Sequence, residues 1–107
     1  MNNKIINRIY ELKEKSILSP SNLVENIKLE NYSNVNFTKN SSGVVCTMIE
    51  RDCEKIIKYI YQFNENDFLM KITAFFEMEE IELFNREDEL SELLGLYNPE
   101  LKLCKEN

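Results

Sequence analysis

The chain has 107 residues, 43% of them hydrophobic and 30% charged, with two glycines and two prolines. This composition is globular and excludes a disordered, collagen-like or linker-rich chain. The length predicts one domain spanning 1–107, which buries roughly two thirds of its unfolded surface without metal or disulfide staples.

Thirteen Lys and Arg against nineteen Asp and Glu give a net charge of −6. Such a surface repels phosphate backbones and anionic membranes, so direct nucleic-acid or membrane binding is not expected; a basic protein surface is its natural complement. The opening MNNKIINRIYELKEK has no uninterrupted apolar run. No segment approaches the roughly 18 apolar residues of a membrane helix, so neither a signal peptide nor a spanning helix is expected and a cytoplasmic location follows. Cys46, Cys53 and Cys104 match no zinc or redox spacing and read as free thiols. Richness in Asn, Ile, Lys and Glu points to an AT-rich, bacterial or phage source.

In chain order, Ile5, Ile9, Leu12 and Ser16 recur at helical spacing, with Ile6 and Ile17 widening the stripe. Pro20 requires this helix to stop before Ser19-Pro20. A second short helix is expected with Ser21 as its cap and Leu23, Val24 and Ile27 facing inward. Two close helices raise a helix-turn-helix, but Ser21 to Glu30 holds one Lys against two Glu, too acidic for a recognition helix.

The period changes at Tyr32. Val35 and Phe37 alternate with polar residues, Lys39 to Gly43 is a turn cluster, and Val44 to Arg51 reads as a strand. Ile57, Tyr59, Tyr61 and Phe63 alternate as a further strand; its rival is a helix over 53–63 capped by Asp52, and aromatic and β-branched density favours the strand. Asn64 to Asp67 is a hairpin loop. Phe68, Met70, Ile72, Ala74, Phe76 and Met78 alternate without a break, and the slip at Glu79-Glu80 requires a bulge or a new strand. Asn85 then caps a helix of about nine residues with Asp88 in capping-box position, with Leu90, Leu93 and Leu94 toward the core, Gly95 at the end and Pro99 blocking resumption. The predicted fold is α+β: one or two N-terminal helices, an antiparallel meander of three to five strands, and a C-terminal helix packed on one sheet face.

No chemistry is declared by a motif. With no histidine, imidazole-based acid–base, triad and common metal chemistry are absent. Cys46 sits in an apolar strand and reads as core, while Cys53, flanked by the acidic Asp52 and Glu54, lacks the electropositive surroundings of a reactive thiol. Gly43 and Gly95 alone cannot build a phosphate-cradling loop. Asn64 to Asp67 lacks the glycine and the distal Glu of a calcium loop. Tyr59 and Tyr61 share a strand face with Phe63, but the lysines near them, Lys55, Lys58 and Lys71, are too few for a single-strand nucleic-acid platform, and a core-facing or dimer-facing sheet explains them better. Glu77, Glu79, Glu80 and Glu82 are so densely exposed that they lack the contrasting environments of a catalytic carboxylate pair. No catalytic, cofactor or metal site is therefore expected.

The acids are concentrated. Residues 1–62 hold 9 bases and 7 acids, or +2, whereas residues 63–107 hold 4 bases and 12 acids, or −8. The candidate partner-binding residues are Glu77, Glu79, Glu80, Glu82, Glu87 and Asp88. Glu87, Asp88 and Glu89 also suit the positive end of a helix dipole, and a solvated, solubilising face is the plainer role for the block. The expected function is a non-enzymatic, protein-binding inhibitor of immunity, antitoxin-like or phage anti-defence type, docking a basic partner. An acidic homodimeric chaperone or assembly factor is the alternative, and a small ligand-binding domain or carboxylate enzyme the third.

Overall fold

The computed structural model describes residues 2–97, so Pro99 and Cys104 lie outside the described residues. Helix α1 (Asn2–Glu14) leads into a short α2 (Pro20–Val24) and a 3-10 turn (Glu25–Lys28). Strands β1 (Tyr32–Asn40), β2 (Gly43–Asp52), β3 (Lys55–Asn64), β4 (Leu69–Phe76) and β5 (Glu79–Asn85) follow, then α3 (Arg86–Tyr97). The strands form one antiparallel sheet in sequential order, so β1 and β5 are its two edges. Helices pack on one face, α3 against β4 and β5 and α2 against β2, which is the α+β architecture the patterning predicts.

Strand alternation decides what each face carries. Val44, Cys46 and Met48 stand opposite Phe63, Tyr61 and Tyr59, and this face meets the helices. Its core joins Leu23 of α2 to Cys46, Met48, Phe63 and Leu69. Removing these side chains from water is the main stabilising term of so small a fold, at roughly 1.5–3 kcal/mol per fully buried aliphatic or aromatic side chain. The other face carries Thr47, Ile49, Lys58, Ile60, Thr73 and Phe75 and points away from the helices. Of the segment 53–63, residues 55–63 are strand and pair throughout with β2, while Cys53 and Glu54 form the turn before it at positive φ.

Several sequence expectations need correction. Ser19, not Ser21, begins α2: Pro20 occupies the first helical position, and Asn22 Oδ1 accepts from the Ser19 N–H at 2.9 Å. Of the three residues expected inside, only Leu23 is buried; Val24 and Ile27 are exposed, because five helical residues and a 3-10 turn present one narrow face to the sheet. Ile17 does not extend the α1 stripe: it lies beyond the helix at φ 71° and is exposed.

The long alternation from Phe68 to Met78 is interrupted twice. A register shift between Gln62 and Phe63 pairs Phe63 with Leu69, placing Leu69 in the core, and the chain reverses at Glu77-Met78. Both residues take positive φ, 48° and 68°, as a tight two-residue hairpin requires, and Met78 is fully exposed at its tip. The slip at Glu79-Glu80 is thus a new strand. Asn85 caps α3 as expected, its Oδ1 accepting from the Asp88 N–H at 3.0 Å. The helix runs to Tyr97, twelve residues, so Gly95 lies inside it and does not terminate it.

Candidate functional site

All six candidate acids fall on one edge of the fold, in the β4–β5 turn, on β5, and in the first turn of α3 that follows it directly. They do not form one compact cluster. At about 3.3 Å per residue, β5 separates Glu79 from Asn85, the cap of α3, by some 20 Å. Glu79 pairs with Phe76 on the helix side, whereas Glu80 and Glu82 stand opposite Phe75 and Thr73 on the open side. Glu77 is at the hairpin tip, and Glu87 and Asp88 are at the opposite end.

The balancing charges are few. Lys71 reaches Glu82 at 3.5 Å, and Asn85 donates to the same carboxylate at 3.2 Å. Among the described residues, Glu77, Glu79, Glu80 and Asp88 have no ion-pair partner. Arg86, the one base between Glu77 and Glu92, is 5% exposed and turned inward. Its guanidinium donates to three backbone carbonyls: Leu69 O at 2.6 Å, Ser16 O at 2.9 Å, and Leu12 O. Burial, and then the charge of Arg8, lower its pKa. Glu77, Glu79, Glu80 and Asp88 therefore keep their charge unpaired at the surface among the described residues, because Arg86, the one base in this stretch of sequence, is committed to the interior.

Glu89 and Glu92 lie outside the six candidates. With Glu82 and Asp88 they line a shallow groove of about 340 Å³ between the end of β5 and α3. Glu89 is held by Arg8 of α1, with Nε donating at 2.7 Å and Nη2 at 3.1 Å, a forked pair that ties the two helices together. The Glu89 contact raises the Arg8 pKa further. Helical spacing i, i+3 or i+4 from Asp88 and Glu89 is the signal that would have found Glu92. Among the described residues, no group of three or more Cys, Asp or Glu can hold a metal ion. Asn64 organises the β3–β4 loop instead of a cation site, its Oδ1 accepting from the Asn66 and Phe68 N–H groups.

A second polar cluster lies on the helix-side face. Glu50 accepts from the Tyr59 hydroxyl at 2.8 Å and from Asn31 Nδ2 at 2.6 Å, and Tyr61 stands beside Tyr59 with ring centroids 6.4 Å apart. Burial, and then the bond to Glu50, push the Tyr59 phenol up to about 12; burial also raises Tyr32 and Tyr61. Burial pushes Cys46 up to about 11, which leaves it an inert core thiol.

The Tyr59 shift carries a pH signature. A folded-state pKa above the ordinary value of 10 favours the protonated phenol, so its contribution to stability is complete below pH 10 and fades as pH rises toward 12. Tyr59→Phe is expected to flatten the alkaline decline in denaturation midpoint over this range. Superimposable alkaline limbs for the wild type and the variant would refute the assignment.

No known protein family, curated protein or solved structure matches the chain. Among the described residues, no helix is long and apolar enough to cross a membrane.

Proposed function

We propose that this chain is a small, non-enzymatic protein-binding module of the inhibitor type, and that it docks a basic partner surface along its β5–α3 edge. The observation that carries this reading is the unneutralised edge: Glu77, Glu79, Glu80 and Asp88 lack ion-pair partners among the described residues, while Arg86 is withdrawn into the core. These carboxylates ride on a tight hairpin turn, a paired strand and a capped helix, so little side-chain-bearing backbone has to be ordered on binding. Such a surface raises association rates and rejects acidic competitors more than it adds affinity. A basic site that normally holds nucleic acid is the fitting kind of partner, because the row of carboxylates presents charge of the same sign as a phosphate backbone.

The test is affinity capture from the native host with the full chain and with the triple variant Glu77→Gln, Glu79→Gln, Glu80→Gln. Among the described residues none of these side chains has an ion-pair or hydrogen-bond partner, so the variant is expected to fold normally. Capture of a basic protein by the wild type, with affinity on the order of tenfold lower in the variant and falling with added salt, is expected. A partner retained equally by both proteins at high salt would rule the docking edge out.

A further inference from the structure

The two edges of the sheet are built differently. On β5, three carboxylates in seven residues and a register shift opposite Ile72/Thr73 discourage another strand from pairing. β1 has no such protection: its nine residues, YSNVNFTKN, include one charge, Lys39, and no proline, and its only irregularity is at the start, between Tyr32 and Asn34. The two-residue turn at Ser41-Ser42 closes on the Asn40–Gly43 pair. Alternation back from that pair turns the N–H and C=O groups of Lys39, Phe37 and Val35 toward the free edge.

Exposed apolar side chains gather beside it. Phe37 is 37% exposed; the 3-10 turn, which packs on β1, leaves Ile27 at 45%, and Val24 at the end of α2 and Leu29 just past the turn are 47% and 51% exposed.

We propose that the free edge of β1 pairs antiparallel with β1 of a second copy of this chain, about a two-fold axis at Asn36, to give a continuous ten-stranded sheet. The strand is self-complementary in this register. Val35 falls opposite the partner's Phe37 on the helix side, Asn34 opposite the partner's Thr38 on the open side, and Lys39 opposite the partner's Ser33, so no like charges oppose each other. The outward backbone groups of Val35 and Phe37 bond to their counterparts on each side of the axis.

Charge also selects this edge. β5 lies four strand spacings away, about 19 Å and roughly two Debye lengths at physiological salt, so the acidic edges of two copies do not repel across the junction. Residues 1–62, which contain β1, carry +2, whereas residues 63–107 carry −8. The dimer leaves both β5–α3 edges free at its far ends, and it does not depend on what those edges bind.

Because Asn36 meets itself on the axis, its charge variants give a direct test. Sedimentation velocity of the full chain from micromolar to submillimolar concentration is expected to show a monomer–dimer equilibrium. Asn36→Glu and Asn36→Lys should each weaken self-association on the order of tenfold or more, and an equimolar mixture of the two should recover a heterodimer. Recovery on mixing also shows that both variants fold. A wild type that stays monomeric throughout overturns the proposal, as does a dimer that neither substitution weakens. A monomer that instead takes up an unrelated extended peptide on β1 overturns it too.

Discussion

Replacing Arg86 with alanine is expected to lower unfolding stability by about 3–5 kcal/mol, among the largest effects of any single substitution in the chain. The guanidinium is buried and, among the described residues, has no carboxylate partner; its donors go to the carbonyls of Leu12, Ser16 and Leu69, and its Cζ lies 5.0 Å from the Phe68 ring centroid. Leu12 belongs to the last turn of α1, where carbonyls lack helical N–H donors and a cation is favoured by the dipole. One side chain at the start of α3 thus closes the end of α1 and fixes the entry to β4.

Alanine would take the side-chain donor from all three carbonyls, leaving Ser16 O only the Leu69 N–H at 3.2 Å, and would open a void beneath Phe68. Arg86→Lys should recover less than half of the loss, because an ammonium on a flexible stem cannot reach three diverging acceptors at once. Denaturant titration followed by circular dichroism measures both. An Arg86→Ala midpoint close to that of the wild type would mean that the three bonds contribute nothing net.

That role was invisible in the sequence. Among eight acids between Glu77 and Glu92, a lone arginine reads as partial neutralisation of the patch. Its acceptors are backbone atoms up to 74 residues away, which leave no trace in spacing or residue type. What was legible is what local physics controls. Alternation fixed the strands, including Lys55–Asn64, because Ile57, Tyr59, Tyr61 and Phe63 satisfy a two-residue period and pair with β2. The Asn85 cap was legible because its bond to the Asp88 N–H spans only three residues.

Local physics failed where tertiary packing intervened. Gly95 can adopt the left-handed conformation that ends helices, but it remains helical. Leu69 enters the core through a register shift that the uninterrupted alternation of Phe68 to Met78 concealed. The acidic edge lies between these cases: its residues were evident from composition, but its character depends on β5 being an outer strand. That topology gives Glu79, Glu80 and Glu82 a structural task, blocking strand addition, alongside the docking role proposed for them. The two roles separate experimentally, since glutamine at Glu79 and Glu80 keeps a polar edge while removing the charge a basic partner would read.

Gly43→Ala is the other substitution expected to be severe, with a loss of about 2–4 kcal/mol. Gly43 opens β2 after the Ser41-Ser42 turn, and its N–H donates to Asn40 Oδ1 at 2.9 Å. Its φ of +153° lies where side chains are rarely tolerated, and an added Cβ would stand 2.3 Å from Phe63 O and 2.6 Å from the Asn64 carbonyl carbon. Those atoms are backbone, so no rotamer change relieves the clash; β2 and β3 must part where Phe63 enters the core. Chemical denaturation supplies the magnitude. Hydrogen exchange supplies the location: faster exchange at Val44 and Phe63 than at Met48 and Tyr59 is expected, because the disturbance begins at the turn. Uniform exchange along both strands would place the damage elsewhere, and an alanine variant as stable as the wild type would show that the close approach of β2 and β3 at Gly43 is not needed for the sheet.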